Sequence, residues 1–149
     1  MYDITKKKIV WFYQFINNML TEKDYCDYET CVALKELGYN GTAGECSHFG
    51  AFHMNGREIF YDRLYNSELK ENECLRVPLY LAQKWLREEK KIEVNATSDF
   101  ISEYHWFWQI KSLINANNDV SYPYYRSYEE ALSEGIKEAV KILKENEDE

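Results

Sequence analysis

The block Ser127-Tyr128-Glu129-Glu130-Ala131-Leu132 constrains the fold more than any other stretch of the chain. The Ser127 side chain is placed to accept a hydrogen bond from an otherwise unpaired amide in the first turn of a helix. Glu130, three residues on, is placed to answer the Ser127 amide, which completes a capping box. Beyond it Tyr128, Ala131, Leu132, Gly135, Ile136, Ala139, Val140 and Leu143 recur at helical spacing and trace an apolar stripe. The pattern predicts a helix running to Leu143, with residues 144–149 an acidic, frayed tail. Gly135 by itself weakens a helix by about 1 kcal/mol relative to Ala. Its place on the buried stripe therefore points to close approach of another backbone, such as a sheet.

An earlier echo, Asp27-Tyr28-Glu29-Thr30, opens a shorter helix predicted over Tyr28–Leu37. Asp27 is its expected N-cap and Gly38 its terminator, because glycine enters the left-handed region without a Cβ clash. A helix this short is marginal in water and must borrow stability from packing. Upstream, Ile9, Phe12, Tyr13, Ile16, Met19 and Leu20 give residues 1–24 the character of a docked helix followed by a linker. A membrane-surface or partner-binding helix is the other reading of that segment, given Lys6-Lys7-Lys8 beside it.

Between these helical patterns lie extended ones. His48–Met54 and Glu58–Leu64 flank Asn55-Gly56, a dipeptide suited to a tight hairpin turn. The stretch from Asn66 to Glu73 reads as polar loop. Pro78 suits the first turn of a third helix, with Leu81, Ala82, Trp85 and Leu86 on its apolar side and an end near Lys90. Ile92, Val94 and Ala96 alternate with Glu93, Asn95 and Thr97 as in a half-buried strand. Tyr104, Trp106, Trp108 and Ile110 then share one strand face, with His105, Phe107, Gln109 and Lys111 on the other. These two segments form a second hairpin, and Asn115–Tyr125 reads as a connection. The expected fold class is α+β, in the order α-α-β-β-α-β-β-α, with both hairpins in one antiparallel sheet packed against helices.

At 149 residues the chain fits one domain that needs neither disulfides nor a structural metal. Its net charge of −8 repels a phosphate backbone, so nucleic acid is an unlikely partner, whereas a basic protein is compatible with it. No uncharged apolar stretch is long enough to span a bilayer. Asn17 and Asn18 interrupt the apolar run after the lysines, and no small-residue cleavage site follows, so a signal peptide is not indicated and the expected compartment is cytoplasmic. Cys26, Cys31, Cys46 and Cys74 include no Cys-x-x-Cys pair and are expected to be reduced.

Three constellations carry possible chemistry. Cys46, His48 and His53 offer the thiolate and imidazole ligands that suit zinc, with a fourth from Cys74, His105 or a carboxylate. The spacing matches no strong zinc pattern, and two His five apart in one strand point to opposite faces, so no cofactor is expected. The same segment gives an enzymatic alternative, a small hydrolase or metal-dependent enzyme, with Cys46 as nucleophile, His48 or His53 as base and Glu45 as orienter. The third constellation is aromatic: Tyr104, Trp106 and Trp108 form either the inside of a sheet or a stacking platform. Phe107, on the reverse face, would join Tyr124 and Tyr125 in an interaction patch if that face is uncovered.

The segments Asp27–Thr30, Ala33–Tyr39, Ala82–Glu88, Ile92–Val94 and Ser127–Leu132 together resemble a group of small proteins of Bacteroides-type bacteria and their prophages or mobile elements. The resemblance covers roughly Tyr25 to Leu143 and implies origin and layout, with no established activity or catalytic residue to carry over. Taken together the sequence suggests a non-enzymatic accessory or protein-interaction domain that binds an unknown protein partner or associates with itself, and the resemblance implies a phage-derived origin.

Overall fold

The computed structural model describes residues 20–41, 50–53, 56–59, 66–100, 103–115, 118–120 and 124–148. Over these the fold is α+β. A short 3₁₀ turn at Glu22–Asp24 leads into α1 (Tyr28–Glu36), followed by β1 (Ala51–His53), β2 (Glu58–Ile59) and β3 (Glu73–Leu75). Then come α2 (Leu79–Glu89), β4 (Ile92–Ser98), β5 (Trp106–Ser112), β6 (Asn118–Val120) and α3 (Tyr128–Glu147). The expected helix over residues 9–20 lies outside the described residues except for Leu20, which packs partly buried against the core.

The short helix α1 exists because both ends are closed. The Thr30 amide donates to Asp27 Oδ1 at 2.9 Å, which places Asp27 at the N-cap. At the other end Gly38 takes φ +99° and its amide donates to the Lys35 carbonyl, while the Tyr39 amide donates to that of Leu34 at 2.8 Å. Those two bonds make a Schellman motif, and buried Leu34 and Tyr39 supply its apolar contact.

One four-stranded sheet is the expectation that the structure corrects. The described strands form two antiparallel sheets of three, ordered β2-β1-β3 and β4-β5-β6. The third strands explain the difference. β3 begins at Glu73, where the polar loop was expected to end, and pairs Phe52 with Cys74. β6 falls inside the expected connection and pairs Ile110 with Asp119. The first hairpin forms as expected, but its register pairs Ala51 with Ile59 and Phe52 with Glu58, symmetric about position 55. Such a register needs a loop with an odd number of residues, and Gly56 serves it at φ +79°.

Smaller corrections follow from local geometry. Pro78 is the N-cap of α2 and not its first helical residue, since its ψ of 145° is extended. α3 continues to Glu147, so residues 144–147 are helix where a frayed tail was expected; Lys144 pairs with Glu36 and anchors that extra turn to α1. Glu130 answers the amide of Arg126 at 3.2 Å, one residue before the one expected.

A continuous apolar core joins both sheets to the helices, with Cys31, Leu34, Val77, Leu86, Val94 and Ile136 fully buried. α3 lies across β4 and β5, and α2 packs beside β4. The Gln83 side chain donates to the Val94 carbonyl at 2.7 Å, which caps part of the outer edge of β4. The second sheet thus turns Val94, Trp108 and Ile110 toward the helices and its other face away from them.

Candidate interaction surface

The two faces of β5 divide the aromatic candidates. Val94 stands opposite Ile110 and Ala96 opposite Trp108 on the helix side, and Thr97 stands opposite Phe107 on the other. Trp108 packs directly under Gly135 of α3, so it belongs to the core. Trp106 points the same way and meets the Tyr128 ring edge-on at 5.5 Å. Trp108 thus packs against the core, whereas Trp106 is half-buried against an exposed tyrosine.

Phe107 on the reverse face stacks on Tyr124, with ring centroids 5.3 Å apart and planes 28° from parallel. The surrounding outer-face positions are polar or exposed: Gln109, Lys111 and Val120. Tyr125 contributes through its main chain, exchanging hydrogen bonds with Trp106 in both directions. That bridge fixes the segment carrying Tyr124 beside β5. Tyr104 precedes β5 instead of opening it; it is exposed, hydrogen-bonded by Arg126, and has the Arg126 guanidinium 4.6 Å above its ring.

The turn between β4 and β5 adds a residue that the sequence pattern did not single out. Phe100 is 82% exposed and holds φ +58°, the left-handed region. It stacks on His105 at 5.5 Å, and His105 in turn leans on Trp106 at 5.6 Å. The amide of Asp99 donates to the carbonyl of His105 and closes the turn beneath these rings. Phe100, His105, Tyr104, Phe107 and Tyr124 therefore gather at one end of the second sheet. A phenylalanine in a turn carries no sequence period, so only its backbone angle and exposure reveal it.

The zinc or nucleophile constellation lies largely outside the described residues. Glu45, Cys46 and His48 lie outside the described residues. Of His53 the backbone is described, in β1 opposite Glu73. The two expected fourth ligands part company: Cys74 is buried in the first sheet and His105 sits in the aromatic turn of the second. Among the described residues no group of three His, Cys, Asp or Glu side chains is placed to hold a metal ion. No described helix is long and apolar enough to cross a membrane.

A groove of about 700 Å³ runs between the start of α1 and the first turns of α3, lined in part by Tyr25, Cys26, Asp27, Arg76, Arg126 and Lys137. Two of its carboxylates share one lysine. Lys137 bridges Asp27 at 2.8 Å and Glu134 at 3.0 Å, and the Arg76 guanidinium lies 3.7 Å over the Tyr25 ring. Burial pushes the Asp27 carboxyl up, but the Lys137 ammonium and the bonds from Thr30 outweigh it and leave the carboxyl below its ordinary value. The Asp27–Lys137 bridge joins the start of α1 to α3 across the groove. Comparison with known proteins gives no match: no family model, curated protein or solved structure is similar to this chain.

Proposed function

We propose that the chain is a non-enzymatic protein-interaction domain that presents the aromatic end of its second sheet to a protein partner. The observation that supports this reading is Phe100. An 82% exposed phenylalanine gains little from burial, and a bulky side chain in the left-handed region strains its backbone by about 1–3 kcal/mol. Folding alone gives no reason to keep such a residue. A partner that covers the ring does, because aromatic anchors contribute most when they are desolvated at the centre of an interface.

Charge selects the partner's chemistry. Exposed Glu103 lies three residues beyond Phe100, and the whole chain carries −8. A basic polypeptide with an apolar side chain to set against Phe100 and Phe107 complements both features. Arg126 over Tyr104 already displays one guanidinium stacked on this surface.

The test is site-specific photo-crosslinking in the cells that make the protein, with the crosslinker at Phe100, Phe107 or, as a control, exposed Arg87 on α2. The reading expects one common basic adduct from Phe100 and Phe107 and none from Arg87. Adducts of equal yield at all three positions overturn it, as does their absence from all three. Adducts made only of a second copy of the chain replace the basic partner with self-association.

A further inference from the structure

The thiols of Cys26 and Cys31 occupy paired positions at the entry to α1. Asp27 is the N-cap, so Cys26 is the residue just before it and Cys31 is the fourth helical residue. Side chains at these two positions meet across the helix entry in a hydrophobic staple. Here both are buried, and the Cys31 thiol donates to the Cys26 carbonyl at 3.6 Å. The Cys26 amide donates to the Val77 carbonyl at 2.8 Å, which fixes the strand-like approach to the helix. Cys26 is 2% exposed and forms part of the groove wall.

We propose that Cys26 and Cys31 are a disulfide-forming pair, closed by exchange with a low-molecular-weight disulfide that enters from the groove. The Cys26 thiolate attacks one sulfur of the reagent, displacing one small thiol and leaving a mixed disulfide on Cys26. Cys31 then loses its proton to solvent and attacks the Cys26 sulfur, displacing the second small thiol. Two protein thiols are oxidised by two electrons and one small disulfide is reduced to two thiols. The product is a covalent staple in place of a van der Waals one. A disulfide asks for Cβ atoms about 3.5–4.5 Å apart, and the staple positions set these two side chains against each other across the helix entry.

The environment sets the rate. Burial pushes the Cys31 thiol well up, and the Cys26 thiol bonded beside it pushes the same way. A thiol raised in this way has a small thiolate fraction at neutral pH, which is why mildly alkaline pH favours its attack. Among the described residues Cys74, in β3, is the third thiol; burial, with Cys31 next to it, raises it to about 12. Cys74 is expected to stay reduced, because Cys26 and Cys31 are the two thiols paired across the helix entry.

The experiment incubates the full-length chain with oxidised glutathione at mildly alkaline pH, alkylates remaining thiols after denaturation, and maps tryptic peptides by mass. Both thiols fall in the single peptide Asp24–Lys35. The expected result is that this peptide is unalkylated and lighter by two hydrogen atoms, while the Cys74 peptide is alkylated. Cys74→Ser leaves the product unchanged, and Cys26→Ser or Cys31→Ser removes it. A linkage through Cys74 or Cys46, a glutathione adduct that stays open on Cys26, or no oxidation of the folded chain when the urea-unfolded chain does oxidise overturns the assignment. The wild-type peptide masses decide the pairing even if a serine variant fails to fold.

Discussion

Gly135 of α3 rests on Trp108 of β5 so closely that a Cβ at position 135 would lie 2.8 Å from the Trp108 Cβ and 2.9 Å from Val94 Cγ1. The first of those atoms is fixed to the sheet backbone and cannot swing aside. Gly135→Ala gains about 1 kcal/mol in helix propensity. It also forces the helix off the sheet, at about 1–3 kcal/mol for overpacking. The expected net effect is destabilisation of about 1 kcal/mol, growing for Gly135→Val, read as a lowered midpoint in urea unfolding. An unchanged or raised midpoint contradicts the close contact.

Asn66 is a buried hub. Its side-chain amide donates to the Tyr39 carbonyl at 2.6 Å and its side-chain oxygen accepts from the Leu75 amide at 2.8 Å, tying the end of α1 to β3. Asn66→Ala strands a buried carbonyl and a buried amide at once, each costing about 1–3 kcal/mol when unsatisfied. The variant is expected to lose about 2–4 kcal/mol on that scale, and Asn66→Asp at least as much at neutral pH, because its buried carboxylate keeps the acceptor for Leu75 but is set against the Tyr39 carbonyl. A loss under about 1 kcal/mol for either variant would count against this assignment.

The cap of α3 predicts an asymmetry. Ser127 accepts from the Glu130 amide at 3.1 Å, which satisfies a first-turn donor. Ser127→Ala is expected to cost about 1 kcal/mol. Glu130→Gln keeps an acceptor for the Arg126 amide and costs less than half of that. Thermal unfolding of both variants checks the ratio.

The Asp27–Lys137 bridge makes a pH-dependent contribution. A carboxyl whose folded-state pKa is lowered stabilises the fold above its unfolded value, and that contribution is lost as the pH falls through the lowered one. The Asp27 side chain is 44% exposed, so solvent screening holds the effect to under about 1 kcal/mol. Asp27→Asn keeps N-cap chemistry and removes the charge. The stability gap between wild type and this variant is expected at neutral pH and to close below about pH 4. Hydrogen bonding to Asp27 raises the Lys137 pKa, so the lysine side of the bridge is lost only at strongly alkaline pH, outside this window.

The helices were legible because caps and periodicity agree on them: Asp27 and Gly38 bracket α1, and Ser127 opens α3 at the residue its sequence block indicates. The strands β3 and β6 were not. Glu73, Cys74 and Leu75 are all buried, so no alternation marks them, and Asn118, Asp119 and Val120 are all exposed, so none marks those either. Without the two short strands a pair of hairpins reads as one sheet. The aromatic surface was half legible: period-two spacing separated Phe107 from Trp106 and Trp108, but Phe100 gains its meaning from a backbone angle that no side-chain pattern encodes.

Phe100→Gly is the measurement that tests the interaction surface most directly. Glycine adopts φ +58° without a Cβ clash, and little buried area is lost from a ring that is 82% exposed. Relief of strain offsets the greater freedom of glycine in the unfolded chain, so stability is expected within about 1 kcal/mol of wild type. The adduct formed from a crosslinker at Phe107 is expected to disappear. A stability loss above about 2 kcal/mol with the Phe107 adduct intact would show instead that Phe100 serves the fold, and would contradict the account.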